Sequence, residues 1–320
     1  MNRRSFLISS AIAMAGCAKP LWANQGPPPT HNATIVVGFS AGGAGDLAGR
    51  VAAEYAKQSE GFPVGVEFRP GAGGTIATDQ IRRAAPDGTT LSLFSASPLV
   101  VAPHLQKLPY DPLRDFTYIA TFVNISIPMF VTSQSPHKSW TELITFAKAN
   151  PGKLRWATAA PRGLAHISTE AAFRQEGVQA AFVPFSGGAD AITALLGGHI
   201  DAVVASDYAS HLQSGKIRLL VETGSEPIAN YPDVPTFKQL GYPLALSSGY
   251  GLFGPADLPK AVVSWWEDEL RAMTESPLYQ TFLTTLGGQR GFRGHEQFTA
   301  TVTENYRIIG EQIDLLGLRP

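Results

Sequence analysis

Four times along this chain a short, largely apolar run gives way to a loop of small residues and then to an amphipathic stretch. The runs are Thr34 to Gly38, Val64 to Phe68, Leu154 to Thr158 and Ala181 to Pro184. Short runs of this kind, bounded by glycine and proline, predict buried strands. After the first loop, Leu47, Val51 and Tyr55 recur at i, i+4 and i+8, which predicts one face of a helix. Further strands are predicted at Thr90 to Phe94, Ile200 to Ala205 and Ile217 to Thr223. Further helices are predicted at Ile76 to Ala84, after the capping box Ser139-Trp-Thr-Glu142, at Ile167 to Gln175, and through Ile192, Leu195 and Leu196. Pro259 opens a helix with Val262, Val263, Trp266 and Leu270, and a last helix carries Phe298, Val302, Tyr306, Ile309 and Ile313. Alternation of strands with helices predicts an α/β chain whose sheets are parallel and covered on both faces.

Such sheets bind ligands beyond the carboxyl ends of their strands, so the loops after strands hold the functional candidates. In the first, Phe39, Ser40, Ala41, Gly42, Gly43 and Asp46 lead into a helix, where free backbone N–H groups make a seat for an anion. Asp46 has a plainer role as a carboxylate capping that helix. Gly71, Ala72 and Gly73 stand in a similar position before the second helix. The third loop supplies Thr158, Ala159, Arg162, Gly163 and His166, and the fourth Pro184, Phe185, Ser186 and Gly187. A guanidinium at Arg162 can pair a carboxylate bidentately, whereas His166 reads as a hydrogen-bonded helix residue. Phe185 can wall a pocket and Ser186 can donate to a ligand. Ser95 and Asp207 join the candidates because each follows a predicted strand.

The sequence has 320 residues, enough for about two domains, and charged residues make up only 16% of it. A net charge of −1 excludes nucleic-acid binding by bulk electrostatics, and the single cysteine excludes a disulfide framework. The chain opens with Arg3-Arg4-Ser5-Phe6-Leu7 and a short apolar stretch, which reads as a twin-arginine export signal over residues 1–23. A small-residue cleavage site falls at Leu21-Trp22-Ala23. Met14-Ala15-Gly16-Cys17 offers the alternative of a lipobox, with a lipid anchor on Cys17.

Catalytic and metal-binding constellations are absent from the sequence: it has no G-x-S-x-G elbow, no H-E-x-x-H, and no two histidines at i, i+4. One rival stands. Gly43-Ala-Gly45-Asp-Leu-Ala48, with Glu67 ending the second predicted strand, imitates a dinucleotide fingerprint and would make the chain an exported NAD(P)-dependent oxidoreductase. Against it, four residues separate Gly38 from the motif, where the fingerprint needs a glycine almost at the strand end. The predicted chain is therefore a binder, with no cofactor, no metal and no catalytic residue.

The ordered runs GFSAGGAGDLAGR, RPGAGGTIA, AAPDGTTL, LPYDPLRDF, ANPGKLRWAT, VPFSGGADAITALLGGHIDAV, YPDVPTFKQLGYP and GLFGPADLP resemble the TctC/Bug family, the extracytoplasmic solute receptors of tripartite tricarboxylate transporters. The resemblance spans Ala33 to Gly317. It implies an α/β, type II periplasmic-binding-protein-like fold of two lobes with a ligand cleft between them. Residues 33–127 and 248–320 would form the first lobe and 128–247 the second. It further implies a periplasmic monomer that grips the carboxylate of a small organic acid between the loops at Phe39 to Asp46 and Thr158 to His166. The membrane subunits of a transporter would be its partner, or, alternatively, a signalling protein for which the chain acts as sensor.

The chain departs from the family pattern in three places. The fourth loop reads Pro184-Phe185-Ser186-Gly187 where the family has P-Y-K-G, losing a hydroxyl and a cation. The third loop carries Pro161 and Arg162 where small residues are usual, and an arginine usual after the penultimate strand is missing from Thr223-Gly224-Ser225-Glu226. This predicts that the cation has moved to Arg162, which would then pair the acid directly.

Overall fold

A computed structural model describes residues 32–61, 63–246, 248–315 and 317–319. The export signal, its cleavage site and Cys17 lie outside the described residues. The chain begins with β1 (Ala33–Val37), α1 (Ala44–Glu60), β2 (Val64–Phe68), α2 (Thr75–Arg82) and β3 (Thr90–Leu93). A π-helical turn over Ser97–Val101 runs into the short α3 (Ala102–Leu105), followed by β4 (Phe116–Ile125). Next come β5 (Pro128–Thr132), α4 (Trp140–Ala149), β6 (Arg155–Thr158), α5 (Leu164–Glu176), β7 (Ala181–Phe182), α6 (Gly188–Leu196), β8 (Ala202–Val204), α7 (Ala209–Gln213) and β9 (Ile217–Glu222). The remainder is β10 (Ser248–Pro255), α8 (Lys260–Met273), α9 (Pro277–Leu286), β11 (Gln289–Arg293) and α10 (His295–Leu315).

Two sheets organise these elements. The first has the order β11-β4-β10-β3-β1-β2 and the second β7-β6-β8-β5-β9. The chain passes between them twice, at residues 126–127 after β4 and again between β9 and β10. The first sheet thus joins the two ends of the chain, and the second is built from its middle.

Each sheet is mixed, which corrects the expectation of purely parallel pairing. β1 pairs in parallel with β2 and β3, and β6 with β7 and β8. β10 pairs antiparallel with β3 and β4, β11 with β4, and β5 with β8 and β9. The antiparallel strands β4, β5, β10 and β11 had no counterpart among the predicted ones.

Period-two alternation divides each sheet into two buried faces. Ile35 and Val37 join Leu91, Phe122, Trp265 and Trp266 on one face of the first sheet. Val36, between them, points to the opposite face with Phe94, Tyr118, Phe253 and Phe298. There Phe94 meets Phe298 edge to face at 4.7 Å. Leu164, Ile167 and Ala171 of α5 pack into this same cluster, so a helix of the second lobe helps to cover the first sheet.

The helix α1 turns a stripe of small residues inward, with Ala44, Ala48, Ala52 and Ala56 all buried, while Leu47 is 36% exposed. The predicted face through Leu47, Val51 and Tyr55 is therefore the margin of the true one. Alanines let the helix lie close on the strands, and the larger side chains flank them. The capping box at α4 forms in modified register. Glu142 N–H donates to Ser139 Oγ at 3.2 Å, but the Glu142 carboxylate accepts from Lys138 N–H, one residue upstream of the cap.

Candidate functional site

Three helices begin at the gap between the sheets: α1 from the first lobe, α5 and α6 from the second. Each starts after an extended glycine, at Gly43, Gly163 and Gly187 respectively. Helix starts carry unsatisfied N–H groups and a partial positive charge, so the gap collects donors without any basic side chain. They surround an inner cavity of about 100 Å³, lined among others by Ser40, Gly43, Ala44, Ser95, Ser97, Thr158, Leu164, Gly188, Ser206, Asp207 and Tyr250. A water needs roughly 10–15 Å³ of such space, so the cavity holds a ligand of about ten non-hydrogen atoms or fewer.

Direct bonds join the lobes across the gap. Ala44 N–H, at the start of α1, donates to Asp207 Oδ1 at 2.6 Å, and Leu164 N–H, at the start of α5, donates to Ser97 Oγ at 3.2 Å. Farther out, Tyr208 donates its hydroxyl to the Gly287 carbonyl at 3.1 Å. Two glycines are required by the closeness of this fit. A Cβ on Gly163 would lie 2.4 Å from Ser97 Oγ, and one on Gly188 would lie 1.9 Å from Asp207 Oδ2. Asp207 is thus wedged between the starts of α1 and α6. Burial pushes its pKa up, and the hydrogen bond from Ala44 offsets this only in part.

An outer cavity of about 560 Å³ adjoins the inner one, sharing Phe39, Ser40, Ser97, Ala159 and Ala160 with it. It is lined by Gly71, Ala72 and Gly73 from one lobe and by Arg162, Gly163, Phe185 and Ser186 from the other. Ala72 and Arg162 both hold left-handed backbone, at φ of 47° and 61°. Side chains other than glycine rarely settle there, and such conformations gather at ligand-binding loops.

The candidates sort cleanly by position. Phe39, Ser40, Ala41, Gly43, Ser95, Thr158, Ala159, Gly187 and Asp207 meet at the inner cavity. Gly71, Ala72, Gly73, Arg162, Gly163, Phe185 and Ser186 line the outer one. Gly42, Asp46, His166 and Pro184 border neither. Asp46 accepts from Gly42 N–H at 2.8 Å and pairs with Arg50, so it tightens the loop. His166 accepts the Arg162 N–H on Nδ1 at 2.9 Å and packs its ring on Phe182, which fixes the third loop from behind. Asp190, at the end of the fourth candidate loop, also lines the cavity; among lining residues that the sequence did not flag, Ser206 adjoins Asp207 and Tyr250 lies on the unpredicted β10.

No group of three His, Cys, Asp or Glu side chains able to hold a metal occurs among the described residues. The dinucleotide reading finds no support. Glu67, its ribose acceptor, pairs with Arg69 at an exposed strand end, and the inner cavity at Gly43 is far smaller than a dinucleotide.

A two-lobed α/β body, with helix starts aimed into an interlobe cleft, is the architecture of a solute-binding receptor. The comparisons with known proteins agree. Residues 48–318 match the tripartite tricarboxylate transporter family receptor, TctC. The chain is 34% identical to BugT of Bordetella pertussis over 269 residues, 82% of each chain. It is similar to the solved structure of the periplasmic binding protein BugD, with a TM-score of 0.83, 29% identity, and coverage of 91% of this chain and 99% of that one. It is also similar to MatC from Rhodopseudomonas palustris with bound malate, at a TM-score of 0.79, 28% identity, and coverage of 88% and 99%. The chain belongs to the TctC/Bug family of solute receptors. No helix among the described residues is long and apolar enough to cross a membrane.

Proposed function

We propose that this chain is an exported, periplasmic receptor that captures a small carboxylate in its inner cavity and performs no chemistry on it. The observation that carries this reading is the convergence of three helix starts, from two lobes, on one small cavity without a lysine or arginine in its lining. Backbone N–H groups and the hydroxyls of Ser40, Ser95 and Ser206 make a donor set suited to an anion that must be released again. MatC, a relative of similar fold, is solved with malate, a small carboxylate.

In this reading residues 33–127 and 248–320 move as one lobe and 128–247 as the other, hinged at the two crossings. Closure buries the ligand and presents a joint surface of both lobes to the membrane subunits of a transporter. The receptor acts as a monomer. Cys17 is the point where a lipid would tether it.

A thermal-shift screen against mono-, di- and tricarboxylates, amino acids and aromatic acids tests the proposal. A true ligand raises the melting temperature in proportion to RT ln(1 + [L]/Kd), and calorimetry then gives one site per chain. A chain that no acid stabilises, up to millimolar concentration, is not a carboxylate receptor.

A further inference from the structure

Each lobe supplies an oxygen to a helix start of the other. Ser97, the first residue of the π-helical turn in the first lobe, accepts the Leu164 N–H that opens α5 in the second. Asp207, in the loop after β8 of the second lobe, accepts the Ala44 N–H that opens α1 in the first. Both acceptors are positioned from within their own lobe. The Pro98 carbonyl, next to Ser97, accepts the Tyr110 hydroxyl at 2.7 Å. The second oxygen of Asp207 lies against the start of α6, where a Cβ on Gly188 would sit 1.9 Å from it.

An anionic ligand closes a two-lobed receptor by giving oxygens to N–H groups of both lobes at once. Ser97 and Asp207 do the same with atoms of the chain itself. A carboxylate suits the task, because the N–H groups and partial positive charge of a helix start favour a negative oxygen. Other contacts across the gap act in the same sense. Tyr208 donates its hydroxyl to the Gly287 carbonyl at the end of α9, and a Cβ on Gly287 would lie only 2.9 Å from Ala209 Cβ. Leu164 and Ile167 of α5 are buried against the first lobe. A lobe that swung away would break both helix-start bonds and wet this seam together.

Resting on the hinged, two-lobe reading above, we propose that Ser97 and Asp207 are positioning residues that hold the lobes together whether or not cargo is aboard. Cargo then enters during brief openings and loses little free energy to closure, because the closed state is already the populated one. Empty and loaded receptors present the same joint surface, and a membrane partner tells them apart by how readily they open.

The test measures the distance between two spin labels by pulsed electron resonance. Ile76→Cys on α2 and Leu196→Cys on α6 put one label on an exposed residue of each lobe, and Cys17→Ser removes the native thiol. Unfolding in guanidinium, dialysis and refolding strip any acid carried through purification. The expected result is one narrow distance in about nine-tenths or more of the molecules. Asp207→Ala combined with Ser97→Ala should move about half or more of them to a longer distance. Asp207→Asn, which keeps an acceptor for Ala44, should leave the narrow distance in place. Circular dichroism verifies the fold of each variant, and the receptor with both latch residues intact needs no such check.

A long or broad distance in that intact receptor overturns the proposal and leaves the hinge reading standing. An unchanged narrow distance in the double variant also overturns it, since the apolar seam then holds the lobes without the two oxygens. Adding Ile167→Asp to the double variant separates the two readings: a longer distance keeps the hinge, and an unchanged one removes it as well. No ligand enters any arm, so the carboxylate reading is judged by the thermal-shift screen alone.

Discussion

Gly188 shows how little room the cleft leaves. Any side chain there would collide with Asp207, whose own position is fixed by Ala44. Gly188→Ala should therefore displace the Asp207 carboxylate and loosen the bond between α1 and the loop after β8. Overpacking of this kind costs about 1–3 kcal/mol of stability. Urea unfolding should show that loss, and calorimetry at least a tenfold loss of ligand affinity. Arg162 makes the opposite case. Its guanidinium is exposed and lines only the outer cavity, so Arg162→Ala should change the affinity of a ligand confined to the inner cavity less than threefold. A larger loss would mean that the ligand extends outward to meet it. Much of the cavity lining was legible at this scale. Glycine followed by a helix marks a donor-rich loop in any sequence, and Phe39, Ser40, Gly43, Thr158 and Ala159 were found that way. Asp207 could be found only as a residue after a strand. Its contact with Ala44, 163 residues away, has no local signature.

At the scale of elements, the helix caps decide local stability. Ser139 accepts the Glu142 N–H and stops α4 from fraying. Ser139→Ala should cost about 1 kcal/mol, read as a lower urea midpoint at unchanged slope. Strands were legible when both of their faces are covered by helices, as in β1 and β3, because continuous apolar residues then fill them. β10 escaped for a physical reason. Its glycines at 249, 251 and 254 look like a loop, but the first two are needed where the strand crowds β4, a Cβ on Gly251 sitting 2.4 Å from the Ala120 carbonyl, and the third where Leu91 and Leu258 close in. β4 escaped because Thr117, Thr121 and Asn124 interrupt its apolar pattern. Two of these polar side chains are used between strands: Thr121 donates to the Gly291 carbonyl at 3.0 Å, and Asn124 accepts from Arg293 at 3.1 Å. The antiparallel strands β4 and β10 of the first sheet were invisible for these reasons, whereas β9 of the second, also antiparallel, was predicted.

At the scale of the molecule, Glu222 ties the two crossings together. Its carboxylate accepts from Ile127 N–H on the first crossing and from Gly224 N–H on the second, each at 3.0 Å. Its other oxygen is buried with no hydrogen-bond partner. Burial pushes its pKa up to about 7, from an ordinary 4.5, despite the two N–H donors. The unfolded chain therefore loses this proton near pH 4.5, whereas the folded one keeps it to near pH 7. This group's contribution to stability is thus greatest below pH 4.5, declines as pH rises to about 7, and is level above that. Glu222→Gln should abolish this part of the decline, measured as the difference in urea unfolding free energy between pH 5 and pH 7.5. An unchanged slope in the variant would assign the decline to other groups.

The burial of Leu164, Ile167 and Ala171 from the second lobe against the core of the first bears on how cargo leaves. Drawing α5 away would wet these side chains, at roughly 25 cal/mol for every square ångström of apolar surface exposed. Unloading is then uphill for the receptor by itself. A membrane protein that prised this greasy seam apart, and covered it with its own surface, would lower that barrier and so set the pace of delivery.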